Sequence, residues 1–347
     1  MATDNEDLFE FLTDLGASTE LIDRAVSTGT LRGLAADLLL TQGSDMTVAD
    51  VAKEAGVDTE TVTRIWRDLG INAGLDDHRF GARDIQLVQS LLAASNLEVT
   101  GAELIRVVGA SLSRIADAAV ALYVQDVEDR KGDGALSPLE LARDLARSVE
   151  FALQLGDLVI GPALAQHLRD AIWRQRITQR GVTERIVARM AVGFVDLVGF
   201  TQLANRVAPR ELLDRISAFE ARAFDVANDR GGRIVKHVGD EVMFTAVSGD
   251  LACRVALTMM EEFEASGTQP RGGVAFGEVI TYHGDYYGPV VNLASRLTDQ
   301  AVPGEILVDA GLQHSSEGAE GVVFDPAGRR QLKGFDQPVT VFSLIRS

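Results

Sequence analysis

The sequence predicts two parts of different class: an all-α region over residues 1–170, then a domain that mixes strands with helices. Three observations carry this. In the first half apolar residues recur at three- and four-residue spacing (Leu8, Phe9, Leu12, Leu15, then Leu21, Ile22, Val26), and no sustained two-residue alternation interrupts them. After about residue 180, short runs rich in Val, Ile and Phe alternate with helical segments, which is the pattern of an α/β or α+β domain. The length of 347 residues is too great for one small core and fits about two domains.

The elements follow in order. Ser18 before Thr19-Glu20 starts a helix and Gly29 punctuates it. Residues 47–68 read as a helix-turn-helix: Thr47 caps the first helix, Gly56 makes the turn and Asp58 caps the second. The region from there to about Leu92 resembles the winged-helix layout of some transcription regulators. Lys131-Gly132-Asp133-Gly134 is a predicted loop. Ser137-Pro138-Leu139-Glu140 is an N-cap with Pro at the first helical position, opening a helix over Pro138–Leu155. The basic stretch 171–188 is a connecting helix, and residues 189–347 form the mixed domain. Its predicted strands are Met190–Leu197, Arg233–Val238, Val242–Val247, Gly272–Ile280, Glu305–Val308, Val322–Phe324 and Val339–Leu344. Its predicted helices are Pro209–Asn228, Asp250–Ala265 and Val290–Thr298.

Composition narrows the function. A single cysteine, Cys253, cannot close an internal disulfide or make a CxxC motif, which fits a reducing compartment. No run of about 18 uncharged apolar residues is present, and the acidic start lacks a signal peptide's basic region, so a cytoplasmic protein without a transmembrane segment is expected. Net charge is −18; residues 1–180 carry 29 acids and 17 bases (−12), and residues 181–347 carry 22 and 16 (−6). Neither half has the positive field that phosphate attraction needs. The second helix of the helix-turn-helix shows Asp58, Thr59 and Glu60 at its first turn, with Arg64 and Arg67 only later. No nucleic-acid partner is expected, and a helix pair used for packing is. His78 and His167 are the only histidines before the mixed domain. A lipid in the apolar helical region is conceivable, but no residue identifies one.

Four segments of the second half carry chemistry. In Gly193-Phe194-Val195-Asp196-Leu197-Val198-Gly199-Phe200-Thr201 an apolar strand ends on one Asp, which is costly unless a cation meets it; capping of the next helix accounts for it equally well. In Ile234-Val235-Lys236-His237-Val238-Gly239-Asp240-Glu241-Val242-Met243-Phe244 a Gly-Asp turn joins two strands, and a plain hairpin leaves Lys236 unexplained. In Gly284-Asp285-Tyr286-Tyr287-Gly288-Pro289-Val290-Val291-Asn292-Leu293-Ala294-Ser295-Arg296-Leu297, Asn292 and Arg296 share one helix face. The fourth is Leu332-Lys333-Gly334-Phe335.

Jointly, in this order and spacing, the four segments resemble the catalytic domain of the class III nucleotidyl cyclases over about residues 185–347. The resemblance implies an antiparallel-rich, ferredoxin-like (βαββαβ) α+β fold and a head-to-tail homodimer with sites shared between protomers. It implies that Asp196 and Asp240 hold two divalent metal ions, Mg²⁺ or Mn²⁺ for oxygen-only ligands. Lys236 and Asp285 would read the adenine of ATP, Asn292 would orient the ribose, Arg296 would stabilise charge on the transferred phosphate, and Lys333 would contact the triphosphate. The products would be 3′,5′-cyclic AMP and pyrophosphate. The domain order also resembles soluble actinobacterial cyclases with a helical regulatory domain, among them pH-responsive members, which implies a regulatory N-terminal region. Two rivals fit less well. A diguanylate cyclase would carry Gly-Gly-Asp/Glu-Glu-Phe where this chain has Val238-Gly239-Asp240-Glu241-Val242. A DNA-binding regulator with a nucleotide-sensing, non-catalytic domain would not need Asp196, Asp240 and Arg296 together.

Overall fold

The computed structural model describes residues 2–347 except 32, 43, 76, 95–99, 131–135, 180–181, 185 and 201–204. The predicted loop Lys131-Gly132-Asp133-Gly134 and residue Thr201 lie outside the described residues. The chain divides into two compact units, one through Gln166 and one from His167 to Ser347.

Among the described residues the first unit contains, beside one isolated β-bridge between Met46 and Phe80, a series of helices. They are α1 (Ala2–Asp14), α2 (Thr19–Thr28), α3 (Leu34–Thr41), α4 (Val48–Ala55), α5 (Thr59–Asp68), α6 (Ala82–Ala94), α7 (Thr100–Arg130) and α8 (Pro138–Leu155). A π-helical turn, Gly156–Ile160, leads on to α9 (Gly161–Thr178), whose last part belongs to the second unit. Local chemistry sets the ends. Ser137 Oγ accepts from Glu140 N at 3.2 Å while the Glu140 carboxylate accepts from Ser137 N at 2.8 Å, a reciprocal cap. Thr47 and Asp50 do the same for α4, Gly56 takes the left-handed φ of 74° that the turn needs, and Asp58 accepts from Thr61 N at 2.6 Å. The helix-turn-helix is therefore formed. Val62 and Trp66 of α5 are buried with Val51, Phe80 and Val88, leaving Glu60, Arg64 and Arg67 exposed. A second core gathers Leu8, Leu12, Ile22, Leu34 and Leu38 against Ala142 and Ala146 of α8.

Many apolar side chains on the long helices stay exposed, including Leu104, Ile115 and Leu122 on α7 and Phe151, Leu164 and Trp173 on α8 and α9. Among the described residues, the helical stretches Glu103–Val127 and Pro138–Thr178 are long and apolar enough to cross a membrane by length and composition alone. A search for uncharged runs passes over them because charges such as Arg114 and Asp117 interrupt the first.

The second unit is built on one mixed sheet: β1 (Val187–Leu197), β2 (Gly232–Val238), β3 (Glu241–Ala246), β4 (Pro270–Tyr282), β5 (Asp285–Tyr287), β6 (Ile306–Asp309), β7 (Val322–Arg330) and β8 (Val339–Arg346). The order is β2-β3-β1-β4-β6-β8-β7, with β5 on β4. Among the described residues, the β4–β6 pair alone is parallel, and helices α10 (Pro209–Asp229), α11 (Gly249–Ala265), α12 (Pro289–Gln300) and α13 (Ala310–Ser315) accompany the sheet.

Alternation along the strands sorts the two faces. Val195, Val242, Phe244 and Val274 point to one side and pack with Phe219 and Val226 of α10 and Met259 and Phe263 of α11. Met190, Val192, Phe194, Met243 and Ala275 point to the other, where Ala294 of α12 covers part of them. α12 crosses closely: a Cβ at Gly273 would lie 2.3 Å from Thr298 N and 2.4 Å from Ala294 O, so only glycine admits the helix there. The second face is the one that carries the charged residues.

Candidate active site

Asp196 is the last residue but one of β1 and lies on the α12 side of the sheet. The register places Glu241 of β3 opposite it on one flank and Arg271 of β4 opposite it on the other. Glu241, Asp196 and Arg271 thus form one cross-strand row. Arg271 grips Asp196 with Nε at 2.8 Å and a second guanidinium nitrogen at 2.7 Å, and donates to the Asp299 carbonyl at 3.3 Å. The lone strand-end Asp therefore does meet a cation, as its desolvation requires.

Asp240 sits at the tip of the β2–β3 hairpin, after Gly239 with φ 66°. Its carbonyl accepts from Leu197 N at 3.2 Å, which ties the tip to the end of β1. Burial, and the negative charge of Asp196, hold the Asp240 carboxyl above its ordinary value. Glu241 is pushed up to about 7, by burial first and then by Asp196 and Asp299. Three carboxyls with one arginine leave this corner short of positive charge.

Lys236 lies on β2 at a register irregularity between Ile234 and Lys236. Its Nζ donates to Asp285 Oδ2, while Asp285 Oδ1 accepts from Tyr286 N at 2.8 Å. Asp285 opens β5, which folds back on the end of β4 through the Tyr282–Asp285 pairing. An acceptor and a donor are thereby fixed side by side, drawn from positions 49 residues apart.

Asn292 and Arg296 lie on α12, Asn292 exposed and Arg296 partly so. Arg296 donates to Asp299 at 2.8 Å. Lys333 is exposed in the turn between β7 and β8. Within one chain, then, the fold brings Asp196 to Asp240 and Lys236 to Asp285. Among the described residues no hydrogen bond or ion pair joins the two groups, or joins Asn292, Arg296 or Lys333 to either.

The implied divalent ions fit this corner. Asp196 and Asp240 present oxygen donors only, their charges already repel, and Arg271 offsets just part of that repulsion. Among the described residues no group of three or more His, Cys, Asp or Glu side chains is set to cage an ion. Two carboxylates completed by substrate phosphate and water is an ordinary arrangement for Mg²⁺.

Sequence reasoning passed over Arg271, Glu241 and Asp299. Arg271 had a signal, being the one charge in the run Pro270–Phe276. Its meaning depends on Asp196, 75 residues away, and on the β1–β4 register.

Comparison with known proteins identifies the family. Residues 182–345 match the family described as the adenylate and guanylate cyclase catalytic domain. The chain is 33% identical over 345 residues to an uncharacterized protein of Mycobacterium tuberculosis (strain ATCC 25618 / H37Rv), covering 97% of this chain and 89% of that one. It is 33% identical over 272 residues to an adenylate cyclase of Streptomyces coelicolor, covering 74% and 68%. It is 25% identical over 371 residues to a pH-sensitive adenylate cyclase of Mycobacterium tuberculosis (strain CDC 1551 / Oshkosh), covering 99% and 93%. With its strand-end aspartate, its hairpin aspartate and these relatives, the chain belongs to the class III adenylate and guanylate cyclase family.

Proposed function

We propose that the protein is an ATP-specific cyclase that forms 3′,5′-cyclic AMP and pyrophosphate at sites shared between two copies of the chain. The observation that carries the choice of base is the Lys236–Asp285 pair, held by the Tyr286 N–H. Adenine presents an acceptor at N1 and a donor at its amine, matching an ammonium and a carboxylate. Guanine presents the reverse, so Lys236 would meet a donor and Asp285 an acceptor. Groups left unpaired in this way support a preference of at least ~100-fold.

Asp196 and Asp240 would hold two divalent ions, which supply activation of the ribose 3′-hydroxyl and neutralise the triphosphate. The chain's own residues do the rest. Asn292 orients the ribose, Arg296 meets the charge that grows on the transferred phosphate, and Lys333 binds the triphosphate. That no hydrogen bond or ion pair joins the Asp196–Asp240 corner to Lys236–Asp285 among the described residues supports a site completed by a second copy, with Lys236, Asp285, Asn292 and Arg296 supplied from the other side. Residues 1–170 regulate that assembly. A relative named as pH-sensitive, matched over nearly its whole length, supports acid–base control as the form of regulation.

The test is direct. Purified protein is incubated with Mn²⁺ and either ATP or GTP, and both cyclic nucleotides are measured. Cyclic AMP formation with GTP turned over at under a hundredth of the rate is expected. Equal use of GTP would remove the base-reading role from Lys236 and Asp285. No cyclic nucleotide from either would leave only a nucleotide-binding domain.

A further inference from the structure

A cavity of about 350 Å³ lies inside the second unit, between the last turns of α9 and the sheet. Ala171 of α9 and Ala188 and Met190 of β1 supply apolar lining, Arg174 of α9, Arg233 of β2 and Tyr286 of β5 supply cationic and hydrogen-bonding lining, and Asp285, already paired with Lys236, reaches the same cavity. Arg233 donates to Tyr286 Oη at 3.2 Å. Arg174 and Arg233 are both half-buried, and among the described residues neither makes an ion pair with a carboxylate.

Carboxylates are in excess over the whole chain, with 51 acidic residues to 33 basic ones. Several arginines of the second unit are matched to carboxylates: Arg271 with Asp196, Arg296 with Asp299, Arg222 with Glu262 and Arg346 with Glu261. Arg174 is instead held below its ordinary value, by burial first and by the charge of Arg233 second, and Tyr286 and Asp170 offset this only in part. Two partly desolvated guanidiniums that repel one another cost free energy until an anion joins them. A guanidinium fork matches the geometry of a phosphate, and a phosphate monoester carries nearly two charges at neutral pH.

We propose that this cavity binds a small organic phosphate monoester, its oxyanion on Arg174 and Arg233 and its apolar body against Ala188 and Met190. The Tyr286 hydroxyl, already fixed by Arg233, is placed to donate to the same oxyanion. The site uses none of the groups assigned to metal, ribose or triphosphate; it borders Asp285 of the base-reading pair, and a titration without nucleotide tests it apart from the cyclase reading.

The experiment is a calorimetric titration of the full chain, without nucleotide and with a chelator present, using phenyl phosphate and, separately, inorganic phosphate. Saturable binding of phenyl phosphate is expected, at least ~5-fold tighter than inorganic phosphate if the apolar wall takes the ring. Arg174→Ala and Arg233→Ala should each weaken it by ~10-fold or more, and Arg174→Lys, which keeps the charge and loses the fork, by less. Arg233 is in a strand, so its variant is checked by thermal melting; Arg174 is on a helix surface and carries the test if Arg233→Ala unfolds. No saturable binding, or affinity unchanged in Arg174→Ala, overturns the proposal and moves any bound anion to Arg296 or Lys333.

Discussion

The two units use polar residues in opposite ways. In the first, the acids that matter are local: Asp50, Asp58 and Glu140 bond backbone amides three residues away at helix starts, and those hydrogen bonds hold each below its ordinary value. In the second, the acids that matter converge across strands: Asp240 and Glu241 of the hairpin meet Asp196 of β1 and are held above their ordinary values, chiefly by burial, and Asp309, a local cap of α13, is raised by burial as well. Asp37 and Asp84 are exceptions in the first unit, raised by burial as well. A depressed carboxyl stabilises its fold, whereas a raised one is tolerated at a cost. Costs of that kind mark where structure serves chemistry rather than stability.

The largest effects should come from the converged acids. Asp196→Ala and Asp240→Ala are each expected to lower cyclase activity more than ~100-fold, because either removes half of the oxygen donors for the ions. Their stabilities should part. Asp196→Ala strands Arg271, whose side chain is 28% exposed, and should cost about 1–3 kcal/mol. Asp240→Ala relieves a repulsion and should leave the melting temperature level or higher. Equal destabilisation by both would mean that Arg271 is not the group balancing Asp196.

Mixing tests whether the site is shared. Asp196→Ala and Arg296→Ala chains should each be inactive alone. After subunit exchange about half of the dimers are mixed and each mixed dimer holds one intact site, so roughly a quarter of normal activity should return. No recovery after proven exchange would place the whole site within one chain.

How much of this could be read beforehand follows from the same contrast. Caps at Ser18, Thr47, Asp58 and Ser137 are written in neighbouring residues, and the structure has all four. The predicted strands of the second unit are present within a few residues at most ends. The exceptions are instructive: β5 has three residues, too few for a periodicity, and β7 continues to Arg330 through Asp325, Pro326 and Gly328, none a strand former. The pairings that make a site were not legible as geometry. Lys236 stood out as a charge inside an otherwise apolar run, yet its bond to Asp285 depends on a register irregularity in β2 and a fold-back of β4. The row of Glu241, Asp196 and Arg271 depends on two strand registers that no local pattern encodes.

Glu241 gives a smaller effect with a definite sign. Its ordinary value is 4.5 and the fold lifts it to about 7. Between those values the unfolded chain ionises Glu241 while the folded chain keeps it protonated. Stability is therefore lost as pH rises through that window and levels off above it. Glu241→Gln removes the loss. With a chelator present, the variant and the parent should melt alike near pH 4.5, and the variant should be about 1 kcal/mol more stable at pH 8, a figure discounted because the group is only half-buried. Mn²⁺ in the corner should shrink the gap. A gap that does not change with pH would mean that Glu241 is ionised throughout.

The smallest expected effect lies in the first unit and has the opposite pH sign. Thr47→Ala removes the hydroxyl that accepts from Asp50 N at 3.3 Å and donates to the Asp50 carboxylate at 2.7 Å. Loss of a cap of this kind should lower the melting temperature by roughly 2–4 °C near neutral pH. The Asp50 carboxyl is held below its ordinary value of 3.8, by the Thr47 side chain first and the Thr47 backbone second. Its contribution is present above that value and fades as pH falls through the depressed one. The difference between parent and variant should accordingly narrow in strong acid, where that of Glu241→Gln opens only as pH rises. Cyclase activity at 25 °C should not change, because a drop of a few degrees leaves the chain folded and Thr47 touches no group of the site. Differential melting over pH 3–8 with a parallel cyclic AMP assay checks both statements. A clear fall in activity with the melting curve unmoved would show that the α4–α5 pair reaches the catalytic unit, and the division of labour drawn between local caps and converged acids would then fail.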